Sequence, residues 1–177
     1  MFNRIITLFR HRWLDTSDSY ISIPPDMVKR LMQRVAASEQ RHSGEVRIYV
    51  EAGLPNSYLW RHVWHKVPLR SVIRERAVMM FGKLHVWDTE HNNGVLIYLL
   101  LTEHAIELVA DRGLNQRVMP QEWQAMVRRL GAALHESRFE DGLTQALEEV
   151  SALLVLHFPL QDGQVGHNEL PDAPMLG

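Results

Sequence analysis

Residues 92–113 read NNGVLIYLLLTEHAIELVADRG. Seven apolar residues in a row, Val95 to Leu101, stand between the Asn92-Asn93-Gly94 punctuation and the polar Thr102-Glu103-His104. A run this short, bordered in this way, reads as a strand buried on both faces. Beyond the break, Ile106, Leu108 and Ala110 alternate with Glu107, Val109 and Asp111. That period of two marks a strand with one mixed face. The break is too short for a crossover helix, so the two strands are antiparallel neighbours.

Outward from this hairpin, Glu45 to Glu51 (EVRIYVE) alternates strictly, with Val46, Ile48 and Val50 on one side and Arg47, Tyr49 and Glu51 on the other. It is the first strand. Before it, Ser22-Ile23-Pro24-Pro25-Asp26 carries a capping serine, early prolines and an acid, which together start a helix. Met27, Val28, Leu31, Met32, Val35 and Ala36 give that helix its apolar stripe, and Gly44 ends it. Pro68 opens a second helix, Pro120 a third, and a fourth runs from about Phe139 to Leu156 with Gly142 inside it. Residues 52–66 are expected as a loop carrying Tyr58, Trp60 and Trp64. A helical crossover between the first and second strands favours a parallel pair. Helices on both sides of a small mixed sheet make a three-layer α/β/α sandwich. The division expected is an amphipathic arm over residues 1–22, the domain over 23–157 and an extended tail over 158–177.

Composition narrows the function classes. The 177 residues suit one domain, and 46% apolar with 23% charged residues is the balance of an ordinary globular protein. A net charge of -2 argues against a general nucleic-acid binder. No stretch approaches the ~20 apolar residues of a membrane span, and the apolar run of MFNRIITLFRHR is too short for a signal peptide. With no cysteine, thiolate metal sites and cysteine nucleophiles are excluded and a reducing compartment fits. The expected location is cytoplasmic, peripheral to the inner face of the membrane. In the arm, Phe2, Ile5, Ile6, Phe9 and Trp13 lie at helical spacing beside Arg4, Arg10 and Arg12. Such a stripe packs on protein or touches a membrane surface through residues 1–13.

The sequence lacks GxGxxG, GxxxxGK[ST], HExxH and GxSxG, which removes the nucleotide-loop, zincin and hydrolase-elbow readings. His62 and His65 are spaced for one helix face but lack a third ligand. Trp123 falls in a helix stripe and belongs to the core. If the outer strands flank the buried one, Arg47, Glu51, Glu107 and Asp111 share a covered face, where charges must pair, as Arg47 with Glu107, or open into a cleft. Such a cleft would offer acids to a cation and Arg47 or Arg112 to an anion. Antiparallel pairing also brings Asp111 and Arg112 beside Asn92 and Asn93. Asp111 and Arg112 are thus the catalytic candidates, and Glu90, Asn93 and Asp111 the metal candidates.

Several segments resemble the TPM domain family, which is also labelled phosphatase-like: HSGEVRIYVE (His42 to Glu51), TEHNNGVLIYLL with TEHAIELVADRGL after it, Trp123, FEDG (Phe139 to Gly142), HFP (His157 to Pro159) and NELPD (Asn168 to Asp172). The match is closest to small stand-alone bacterial members. The resemblance implies an α/β/α sandwich, and in some members an acid-phosphatase-like activity with Ca2+ or Mg2+. Where typical members carry a glycine-tyrosine-glycine turn and a later aspartate, this chain has Asp111-Arg112-Gly113 and Met119-Pro120-Gln121. With those acids thinned, the expected function is a binding or assembly module for a protein complex, at a membrane surface. The alternative is a divalent-metal-dependent phosphomonoester hydrolase.

Overall fold

A computed structural model describes residues 23–160 and 170–177. The arm, its proposed helix over residues 1–13 and the Ser22 cap lie outside them. Chain order within the described residues is α1 (Pro25–Glu39), β1 (Val46–Glu51), α2 (Asn56–Trp64), α3 (Leu69–Lys83), β2 (Val95–Leu100), β3 (Ala105–Ala110), the single turn α4 (Arg112–Asn115), α5 (Pro120–His135), α6 (Phe139–His157) and β4 (Met175–Leu176). The sheet order is β3-β2-β1-β4.

β2 is the buried middle ribbon, all six residues out of solvent. It pairs in parallel with β1, Val46 opposite Val95, and antiparallel with β3, Val95 opposite Ala110. Side-chain alternation then divides the core in two. Val46, Ile48, Val50, Ile97 and Leu108 meet α1, α5 and α6 on one face. Leu96, Tyr98, Leu100 and Val109 meet α2 and α3 on the other. This is an α/β fold with helical layers on both sides of a small mixed sheet.

Three expectations need correction. Residues 56–64, expected in a loop, form α2, which buries only Leu59 and His62 and therefore shows no long apolar stripe in sequence. α1 stops at Glu39, four residues and a bend before Gly44. Gly44 instead serves packing, since a Cβ there would stand 2.5 Å from Leu154 Cδ2. The tail is not merely draped: Met175 and Leu176 add a fourth strand, parallel to β1 opposite Tyr49 and Val50. Gly142 does mark a close approach, as a Cβ there would come 2.8 Å from Leu134 Cδ2 of α5.

Candidate functional site

The charged side of β1 and β3 does not gather into one place. Arg47, Glu51 and Glu107 all project toward the α2–α3 layer, but each goes to a different partner. Arg47 is 6% exposed and donates to the Pro171 carbonyl and, at 3.0 Å, to Met175 Sδ. It anchors the tail rather than pairing with Glu107, from which β2 separates it: its register partner is Leu96, which faces Val109. Glu51, 5% exposed, takes the Arg76 guanidinium of α3 through both oxygens (Nε to Oε1 3.1 Å and to Oε2 2.9 Å), and the Tyr98 hydroxyl donates to it at 2.7 Å. Glu107 accepts from Arg74 at 3.2 Å. Burial pushes its carboxyl above the ordinary range, opposed by Arg74 and Arg70.

The turn before β2 and the end of β3 do come together. Asn92 adopts the left-handed conformation (φ 52°), which asparagine tolerates, and its side chain accepts from Arg112 Nε at 2.8 Å. Asp111 N–H donates to the Gly94 carbonyl at 2.9 Å, closing the ladder. The Asp111 carboxylate accepts from Arg112 N–H at 2.6 Å and so caps α4. Asn93, 1% exposed, donates to the Ser43 carbonyl at 3.1 Å. Asn93 Oδ1 and Asp111 Oδ2 are both buried with no donor among the described residues. Glu90 lies on the exposed part of the same loop. Among the described residues no group of three histidine, aspartate or glutamate side chains is placed to hold a metal. His62 is turned inward to the Val67 carbonyl at 2.7 Å, while His65 caps the helix at the surface.

A cleft of about 750 Å³ runs along the outer edge of β3, between α3 and α5. Arg70, Ser71 and Arg74 come from α3, Glu107 and Leu108 from β3, Asn115 from α4, and Trp123 and Arg128 from α5. Its volume is that of a typical small-ligand or peptide-side-chain site. Trp123 packs against the core as expected, yet it also forms cleft wall, and its buried indole N–H has no acceptor among the described residues. Arg128 forms no ion pair with any described residue, and Arg70 acts on Glu107 only through its field. The edge itself is closed to strand addition, because Arg74 caps the Leu108 carbonyl at 2.6 Å and Asn115 the Ala110 carbonyl at 2.5 Å. Sequence reasoning missed Arg70, Arg74 and Arg128. Their one visible signal is arginine at helical spacing (70, 74) on α3, which also describes any solvated helix face.

Comparison with known proteins agrees with this architecture. Among solved structures the chain is similar to the NMR structure of the BA42 protein from the psychrophilic bacterium Bizionia argentinensis, with a TM-score of 0.69 and 22% identity over 86% of this chain and 93% of that one. At that identity the likeness is one of fold. No protein of curated description matches the sequence. The family model of the TPM domain matches residues 18–153, most of the chain and every element from α1 to α5. The chain belongs to the TPM domain family.

Proposed function

We propose that this TPM domain is a binding module that assembles with a partner protein by taking an acidic segment of that partner into the α3–α5 cleft. One observation carries the reading: arginines outnumber acids there, with Arg70, Arg74 and Arg128 against Glu75 and Glu107. Glu75 is held by Arg61, and Arg74 is already spent on Glu107 and Leu108, which leaves Arg70 and Arg128 without an ion pair among the described residues. Arginine forks recognise carboxylates by charge-assisted bonds. With the β3 carbonyls capped, recognition runs through side chains rather than through an added strand. Titrating the full chain with a hexaglutamate peptide, while following the Trp123 indole N–H by NMR, tests this. That resonance should shift, and Arg70→Ala/Arg128→Ala should weaken binding roughly tenfold, as loss of about two solvent-exposed ion pairs predicts. A silent Trp123 or an unaffected double variant overturns the reading.

A second reading is favoured by the two orphaned oxygens, Asn93 Oδ1 and Asp111 Oδ2. Calcium takes six to eight oxygens, more than this turn offers, whereas Mg2+ keeps most of its waters and needs only one or two protein carboxylates. Asp111 and Asn93 would hold such an ion, which would supply Lewis-acid polarisation of a phosphoryl oxygen. Arg112, exposed beside them, would bind the anionic phosphate. A phosphomonoester assay with and without Mg2+ checks it. Hydrolysis that needs Mg2+ and is abolished by Asp111→Asn and Arg112→Ala would establish it in place of the binding reading. No hydrolysis, or hydrolysis indifferent to both variants, removes it.

A further inference from the structure

The α2–α3 layer differs from the rest of the molecule in both charge and exposure. Residues 56–83 hold six cations (Arg61, Lys66, Arg70, Arg74, Arg76, Lys83) and one acid, Glu75, a net charge of +5 in a chain whose net is -2. Glu51 and Glu107, reached from neighbouring strands by Arg76 and Arg74, offset two of these charges and leave an excess of three. Lys66 and Lys83 are exposed and make no ion pair with the described residues. The same layer carries exposed indoles. Trp60 is 57% and Trp64 63% exposed, one turn apart on α2, with their rings stacked at 4.9 Å. Trp87, in the loop that follows α3, is 49% exposed. A helix of a soluble monomer seldom presents two stacked tryptophans to water, since each leaves a large apolar body wet. Indole beside lysine and arginine is the chemistry of the bilayer interface, where the ring sits at headgroup depth and the cations meet anionic lipid.

We propose that α2 and α3 form a docking face for an anionic lipid surface, with Trp60 and Trp64 as its anchors and Lys66 and Lys83 as its electrostatic contacts. The contact is peripheral, as no helix among the described residues is long and apolar enough to cross a membrane. Its anchors and named contacts, Trp60, Trp64, Lys66 and Lys83, are not cleft residues, so although Arg70 adds to the charge of both surfaces, either reading can fail without the other.

The test is co-sedimentation of the full chain with vesicles of phosphatidylcholine alone and of phosphatidylcholine with phosphatidylserine. Binding is expected to the second kind only, and to fall as salt is added. Trp60→Ala/Trp64→Ala should lower it roughly tenfold or more, with an unchanged melting temperature because both rings lie outside the core. Lys66→Glu and Lys83→Glu, also on exposed positions, should each lower it roughly fivefold. Equal binding to both vesicle types, absence of vesicle binding, or undiminished binding by the tryptophan variant overturns the proposal. The last result would move the contact to another segment such as residues 1–13, which that variant leaves intact.

Discussion

Arg76 of α3 and Glu51 of β1 form an ion pair sealed between helix and sheet, their side chains 11% and 6% exposed. Tyr98, fully buried on β2, adds a fourth hydrogen bond, at 2.7 Å, to the three that Arg76 makes. One strand, the neighbouring strand and a helix therefore meet at a single carboxylate. Removing one member of such a pair strands a charge in an apolar setting. Arg76→Ala should cost about 3–5 kcal/mol, whereas Arg76→Met and Glu51→Leu combined with Tyr98→Phe, which leaves no buried polar group stranded, should come close to neutral. Tyr98→Phe should cost about 1–2 kcal/mol. Urea denaturation of the three proteins checks the order.

Two glycines should answer alanine in opposite ways. At Gly94 a Cβ would stand 1.9 Å from the Val86 carbonyl oxygen, which is backbone and cannot step aside. Gly94→Ala should lose about 2–4 kcal/mol and shift the start of β2. Gly131, inside α5, has nothing within 4 Å of its Cβ position, so Gly131→Ala should gain about 1 kcal/mol. Thermal melts of both variants measure this contrast.

His42 and Glu39 give the stability profile two opposed slopes. His42 is 1% exposed, with Nδ1 3.0 Å from the Gly44 carbonyl and Nε2 2.8 Å from the Ser38 hydroxyl. Burial holds the imidazole down at about 4, against 6.5 for a free one. Between those values the unfolded chain takes up a proton that the folded chain refuses. Stability therefore falls as pH drops through that window, by up to about 3 kcal/mol. Glu39 is pushed the other way, to about 8, by burial and by Glu45 and Asp172 nearby. Its contribution is full below 4.5 and is lost as pH rises toward 8. Urea midpoints across this range should show a flatter acid limb in His42→Gln and a gain above pH 8 in Glu39→Gln. Parallel curves for wild type and variants would contradict both assignments.

Arg47 should control how firmly β4 is seated. Gly177 N–H donates to Val50 at 2.9 Å and Ala52 N–H to Gly177 at 3.1 Å, on the side of β1 away from β2. Arg47→Met should speed amide exchange at Gly177 and Ala52. Leu101 N–H, bonded to Glu51 on the β2 side at 3.0 Å, should keep its protection. Exchange measured by NMR separates the two edges of that strand.

What could be read from sequence was whatever repeats with a period. The β2–β3 hairpin, β1 and the long helices announce themselves because burial of one face writes a pattern into each. α2 has two buried residues in nine, too few to form a stripe, and β4 is two residues flanked by prolines and polar positions. The clustering of Asn92, Asn93, Asp111 and Arg112 was legible, since antiparallel register brings the ends of a hairpin together. The true partners of Arg47 and Glu107 were not. Strand alternation says which face a charge occupies, but not that Arg74 and Arg76 descend from α3 to claim the acids. The cleft was hidden for a related reason: its arginines belong to two helices far apart in the chain, and each looks alone like an ordinary wet position.

The position of β4 has a bearing on how the chain folds. The β2–β3 hairpin can close as soon as residues 95–110 exist, but β4 at residues 175–176 must travel back to Tyr49 and Val50. Pairing so distant in the chain is slow, because loop-closure entropy precedes any reward. A growing polypeptide therefore carries the outer edge of β1 bare, with a buried-to-be arginine still wet, until residues 175–176 have been made. Met175 and Leu176 act as a late closure of a sheet whose other strands all lie within residues 46–110.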